Sequence, residues 1–129
     1  MPAMSPMKCL RAQALSMSAP SGANAGIDVS SCRGVACVLS AESGRTITGG
    51  TMRGYVYMPV DVNEDGTPKT WRWFRHAALD WTPATGARDA ASGDFQVFTG
   101  VGRVAWVTDA VTVSGGTTVD VTMLARRNG

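Results

Sequence analysis

From residue 27 onward, apolar and polar positions alternate in short runs separated by glycine-rich breaks. A period of two is the signature of strands with one buried face. Ile27-Asp28-Val29 alternates, residues 34–40 form an apolar run of strand length, and residues 45–48 follow the turn Glu42-Ser43-Gly44. Gly49-Gly50 predict a break. Residues 52–58 then predict a strand with Tyr55 and Tyr57 on one face and Val56 and Met58 on the other. Pro59 lacks an N–H to donate, so it is expected to end that strand or to lie at an edge. After the acidic turn Asp61-Val-Asn-Glu-Asp-Gly66 comes the stretch Lys69-Thr-Trp-Arg-Trp-Phe-Arg-His76. As a strand it places Trp71, Trp73 and Arg75 on one face and Arg72, Phe74 and His76 on the other. Residues 77–81 either continue it or turn. Residues 82–93 are rich in Pro, Gly, Ala and Ser, and long for a loop, which marks functional or interface-forming segments.

The C-terminal third predicts strands over residues 94–99 and 103–107, the second carrying Trp106, with Gly100 and Gly102 around Val101. Thr108-Asp109 predict a break. Val111-Thr-Val113 and residues 117–125 flank Ser114-Gly115-Gly116 and predict a hairpin. A two-residue loop would pair Val111 with Asp120. A three-residue loop pairs Val111 with Val119 and Val113 with Thr117, and gathers Val111, Val113, Val119, Val121 and Met123 on one buried face. The second register is preferred, with a left-handed glycine and a bulge, provided that both strands share a sheet.

Residues 1–24 are different, being rich in Met, Ala, Ser and Pro. Residues 7–17 fit a short helix, with Leu10, Ala14 and Met17 on one face, and equally a strand. Residues 18–26 predict a loop. The expected architecture is all-β: an antiparallel, jelly-roll-like β-sandwich of about eight strands over residues 25–129, preceded by an N-terminal arm or short element over residues 1–24. No internal repeat or heptad pattern is present.

Composition narrows the function classes. The chain has 129 residues, 44% hydrophobic and 17% charged, as a single globular domain does. A net charge of +2 is too small for a strong phosphate-binding field, so no nucleic-acid partner is expected. No run approaches the ~18 apolar residues that span a bilayer, so no membrane partner is expected either. Arg11 and Gln13 interrupt the N-terminal apolar positions, so a secretory signal is not expected. Arginine dominates the basic residues, which suits planar contacts at interfaces. The odd cysteine count of Cys9, Cys32 and Cys37 argues against a disulfide framework and for small buried side chains in a reducing compartment.

The sharpest chemical feature is residues 69–76 with Trp81, which hold three of the four tryptophans and the sole histidine. Exposed, such a strand stacks bases or sugar rings, with arginine adding cation–π contacts. The preferred alternative is core plus protein interface, since Trp and Arg dominate binding hot spots. The interface candidates are Trp71, Arg72, Trp73, Arg75 and Trp81. Asp61, Asn63 and Asp65 with Gly66 match the first half of an EF-hand loop, a weak Ca²⁺ candidate, because Arg72 stands where the bidentate Glu belongs. Cys9, Cys32, Cys37 and His76 lack a zinc spacing. No cofactor is expected. His76 is the sole candidate base and lies among arginines that disfavour its protonation. There is no Gly-x-Ser-x-Gly elbow, and Gly100-x-Gly102 lacks the rest of a nucleotide-binding fingerprint. The expectation is a non-enzymatic protein.

The run Gly102-Arg-Val-Ala-Trp-Val107, followed by Val111-Thr-Val-Ser-Gly-Gly-Thr-Thr-Val-Asp-Val121, resembles the C-terminal strands of small β-structured virion proteins of tailed bacteriophages. In style the resemblance extends over residues 44–127. It implies a structural virion protein, with capsid decoration (cement) as the first expectation and a tail, fibre or head–tail connector component as the second. The implied partners are the major capsid protein or other virion proteins and further copies of the chain. The implied location is the virion, assembled in the host cytoplasm. No catalytic residue is carried over. A carbohydrate-binding β-sandwich module, with Trp71 and Trp73 exposed, is the rival from another class.

Overall fold

The alternating runs pair into two sheets. The computed structural model describes residues 4–97 and 100–127, and nine strands lie within them. They are β1 (Ser5–Gln13), β2 (Ile27–Asp28), β3 (Cys32–Ala41), β4 (Ile47–Val62), β5 (Pro68–Arg75), β6 (Asp89–Ala91), β7 (Phe95–Gln96), β8 (Arg103–Val113) and β9 (Val119–Arg127). Sheet I has the order β1-β9-β3-β6, with β7 also pairing β3; sheet II has the order β2-β8-β4-β5. Every pairing is antiparallel. The protein is therefore all-β, with two antiparallel sheets arranged as a β-sandwich is.

The core is what the alternation builds. In sheet I, Val35, Cys37, Leu39 and Ala41 pair directly with Ala125, Met123, Val121 and Val119, and all eight are buried. Sheet II contributes Met52, Val56, Val104 and Trp106. Each large side chain buried here is worth about 1.5–3 kcal/mol in transfer free energy.

Several expectations are corrected. The hairpin over residues 111–125 does not form, because β8 lies in sheet II and β9 in sheet I. Both edges of β8 are already occupied, one by β4 and the other by β2 together with residues 15–17. The chain crosses between sheets at residues 114–118, where Glu42 Oε1 accepts the N–H groups of Thr117 and Thr118. Val111 and Val119 are both buried, but as members of different sheets.

Two expected breaks are bulges inside continuous strands. The ladder between β4 and β8 shifts register twice between Ile47 and Thr51, with Gly50 at φ 109 and Ala110 at φ 51. A bulge adds a residue and turns the strand without ending it. Pro59 likewise does not end β4, which runs on to Val62. By Pro59, β4 has passed the end of β8 and pairs only with β5, so the missing N–H breaks no central ladder.

The expected N-terminal arm is, over residues 5–13, an edge strand paired with β9 from Ser5↔Ala125 to Gln13↔Val119. The chain then moves to sheet II. Met17 N–H donates to Thr108 O at 3.0 Å, and Val111 N–H donates to Leu15 O at 2.9 Å. One segment thus covers an edge of each sheet, satisfying backbone groups that would otherwise lie open. The strand expected over residues 94–99 is limited to β7, and positions 98 and 99 lie outside the described residues.

Candidate functional site

Directly paired residues in an antiparallel sheet share a face. Asp28 pairs with Arg103, Arg103 with Tyr57, and Tyr57 with Trp73. One transverse row of carboxylate, guanidinium, phenol and indole therefore crosses all four strands of sheet II. It lies on the outer face, because the alternating positions Val56 and Val104 point to Val35 of sheet I and line one small cavity with it.

Tyr57 is the centre of an aromatic cluster. Its ring lies 5.5 Å from Trp71 at 19° and 5.0 Å from Trp73 at 41°. The expected sharing of a face by Trp71 and Trp73 is what this geometry requires. Trp73 packs against the core margin, and its Nε1–H donates to Gly22 O at 2.9 Å. The Trp71 ring lies over Gly102, where a Cβ would come within 2.6 Å of Cζ3, so Gly102 leaves the indole room to settle.

The loop over residues 18–26 is strapped to this flank through its carbonyls. Arg103 Nε donates to Ala25 O at 2.7 Å, and Nη2 donates to Gly26 O at 3.1 Å and Asn24 O at 3.3 Å. Lys8 Nζ donates to the same Asn24 and Gly26 oxygens, at 3.2 and 3.3 Å. Beside the strap, Asp28, Ser30, Tyr57, Trp71, Gly102 and Arg103 line an open cleft of about 290 Å³.

Asp28 is held ionised. The backbone N–H and hydroxyl of Ser30 both donate to its Oδ1, at 2.9 and 2.7 Å. These bonds, in that order, pull the carboxyl below its ordinary value against the opposing effect of burial, and the charges of Arg103 and Arg127 add to the pull.

The opposite face of β5 is exposed for a different reason. Phe74 pairs with Val56 and Arg72 with Met58, so both share the face that packs on sheet I elsewhere. Yet Phe74 is 44% exposed, and Val60 and Val62 in the adjoining hairpin are 43% and 57% exposed. β5 is an edge strand of sheet II.

The remaining sequence candidates have structural partners. The Arg75 guanidinium lies 5.7 Å over the Tyr55 ring and forms a two-pronged ion pair with Asp80. Asp80 Oδ1 also accepts the Gly54 N–H at 2.8 Å. Burial pushes the Asp80 carboxyl up, but the bonds from Arg75 and Gly54 outweigh it and leave the group below its ordinary value. Trp81 extends sheet II as an isolated bridge, exchanging backbone hydrogen bonds with Met52 at 2.9 and 3.1 Å. Its buried Nε1–H has no hydrogen bond of sound geometry. Burial raises the Cys37 thiol well above its ordinary value, an effect the nearby Trp81 indole only partly opposes. Cys32 is also buried, whereas Cys9 is exposed, contrary to expectation, with Thr122 Oγ1 donating to its sulphur at 3.3 Å. His76 is half-buried and faces the small cavity between the sheets.

The half EF-hand is a hairpin turn. Asn63 N–H donates to Thr67 O and Gly66 N–H to Asn63 O, while Asp65 Oδ1 accepts both the N–H and the hydroxyl of Thr67. Asp61 Oδ1 accepts the Val62 N–H. The side chains that suggested Ca²⁺ thus include two carboxylates engaged in shaping a turn. Among the described residues no three His, Cys, Asp or Glu side chains are grouped to hold a metal ion.

Comparison with protein-family models, with curated proteins and with solved structures returns no match.

Of the sequence candidates, Trp71 alone lines the cleft. Asp28, Ser30 and Arg103 were not foreseen. Asp28 and Ser30 sit in one stretch and Arg103 in a distant one, and only the order β2-β8-β4-β5 brings them beside Tyr57 and Trp71.

Proposed function

We propose that this chain is a non-enzymatic structural protein of a tailed-phage particle that docks on the assembled shell as a decoration (cement) protein. The resemblance of residues 102–121 to virion strands motivates the assignment, and the strand order supports it. Counting β6 and β7 together, successive strands fall in sheets I, II, I, II, II, I, II and I. We read this as a jelly roll, a plan of two Greek keys common in capsid and lectin domains. A shared plan does not carry a function by itself, so the surface must.

The observation that carries the proposal is the β4–β5 edge. It exposes Phe74, Val60 and Val62, and Arg72 shares the face of Phe74. Exposed apolar groups with an arginine on the same face fit a protein contact, and Arg and aromatic residues anchor such contacts. Across junctions of a shell, each copy adds buried area between neighbouring subunits, and symmetry multiplies weak contacts into avidity. The partners in this proposal are the major capsid protein and, through open strand edges, further copies of the chain. The location is the virion, assembled in the host cytoplasm.

The test is addition of the purified chain to shells lacking it, followed by sedimentation and quantitation of both proteins. The expected result is a fixed ratio to the shell subunit, and about a tenfold loss of binding for Phe74→Ser. Recovery in tails and not heads would move the assignment to a tail, fibre or connector component. A chain that stays free of every particle fraction would overturn it.

A further inference from the structure

We propose that the cleft on the outer face of sheet II is a binding site for an uncharged saccharide, taking one pyranose ring. The aromatic wall is one part of the argument. Trp71 is half-buried, seated against Gly102 and stacked on Tyr57 at 5.5 Å and 19°. A rigid, supported indole that lines an open cleft is a platform for the apolar C–H face of a sugar ring.

The charged wall is the other part. Asp28 and Arg103 are direct cross-strand partners, and both line the cleft. They nevertheless form no ion pair: the pairs among the described residues join Arg11 with Asp120, Arg53 with Asp109, Arg75 with Asp80 and Arg126 with Asp94. Arg103 uses Nε and Nη2 on the 18–26 loop, which fixes the guanidinium plane and leaves Nη1 without a protein partner among the described residues. Asp28 uses Oδ1 on Ser30 and likewise leaves Oδ2 without a hydrogen bond.

A held carboxylate oxygen and a held guanidinium N–H, on neighbouring strands and not satisfying one another, suit a pair of adjacent hydroxyls. One hydroxyl donates to Asp28 and its neighbour accepts from Arg103. Charge-assisted bonds of this kind are about twice as strong as neutral ones.

The charges also exclude alternatives. Among the residues that line the cleft Asp28 offsets Arg103, with Arg127 acting on Asp28 from outside the lining, and the ionised Asp28 repels phosphate. A volume of about 290 Å³ is at the lower end of small-molecule sites and admits a single ring. The cleft is on the opposite face of the sheet from Phe74, so it stands or fails independently of the shell contact.

The test is two-dimensional NMR of the full chain titrated with methyl glucoside, galactoside, mannoside and N-acetylglucosaminide, with adenosine as the competing stacking ligand. The expected result is a millimolar-range shift of the Trp71 indole N–H by at least one pyranoside, with the Trp106 indole N–H unmoved. Trp71→Ala is expected to abolish the response, and Asp28→Asn to weaken it about tenfold. Retention of the Trp106 resonance reports that both variants remain folded. No shift with any pyranoside, a shift that survives Trp71→Ala, or a response to adenosine alone would each overturn the proposal.

Discussion

The two aromatic clusters of this protein use tryptophan in opposite ways. Trp106, on the inner face of β8, is fully buried, lies 6.0 Å from Phe95, and donates its indole N–H to Leu79 O at 2.9 Å. Trp71 and Trp73, on the outer face of β5, lie half-exposed around Tyr57. The inner ring closes the gap between the sheets. The outer rings pack on Tyr57, a loop, a glycine and the margin of the core, and both remain partly exposed. A tryptophan's contribution is set less by its strand than by whether a second sheet lies over it.

The largest effect should come from the inner cluster. Trp106→Ala removes a fully buried ring and leaves Leu79 O without its donor, so a loss of about 3–5 kcal/mol is expected in denaturant unfolding. An unfolding midpoint close to that of the unaltered chain would mean that Trp106 is not the centre of the core. Trp73→Ala should cost less, about 2 kcal/mol, because the ring is partly exposed and its hydrogen bond to Gly22 holds a loop and not a sheet. Its signature should be local: faster amide exchange and proteolysis over residues 18–26 before any global change. Uniform destabilisation without loosening of that loop would place Trp73 with Trp106, not with Trp71.

How much of this contrast was legible beforehand follows from what a period of two can encode. Alternation groups Trp71 with Trp73 and Val119 with Val121 and Met123, because a strand sends successive side chains to opposite faces. It cannot say which face another sheet will cover. Val111 and Val119 show the limit most clearly. Both are buried as their pattern requires, yet they approach from opposite sheets, and burial alone does not distinguish pairing within a sheet from facing across the core. The glycines at residues 49–50 carried a signal of irregularity that serves equally for a break and a bulge, while Ala110 at φ 51 carried none. The cleft was hidden more deeply. Asp28 and Arg103 become neighbours only once β2 is known to lie beside β8, a long-range pairing that no local pattern records.

A smaller effect is expected where the outer face meets its corner. Asp80 joins Arg75 and the Gly54 N–H, and its carboxyl lies below the ordinary aspartate value. The unfolded chain therefore binds this proton more readily than the folded one. The stability Asp80 contributes is fully present above about pH 4 and is lost as pH falls through the lower folded value. Asp80→Asn should cost about 1 kcal/mol at neutral pH, discounted for partial exposure of the pair, and the gap from the unaltered chain should narrow below about pH 4. The check is a series of unfolding midpoints across that range. A gap that stays constant with pH would show that the Arg75–Asp80 pair contributes through shape and not charge.

The finest distinction between the clusters is energetic coupling. Tyr57 and Trp71 are near-parallel at 5.5 Å, an offset-stacked geometry whose own worth is about 0.5–1.5 kcal/mol beyond area burial. Tyr57→Leu, Trp71→Leu and the double variant form a cycle that isolates it, since both replacements keep apolar bulk on the sheet. Partial solvent exposure puts the expected coupling near the low end, about 0.5 kcal/mol, read from equilibrium unfolding. If the two changes add within error, the rings lie together only because their strands hold them there, and the rigidity that makes Trp71 a platform must come from Gly102 beneath it. Gly102→Ala then becomes the deciding variant: its Cβ would press on the indole at 2.6 Å, so the Trp71 resonance should broaden while Trp106 keeps its position.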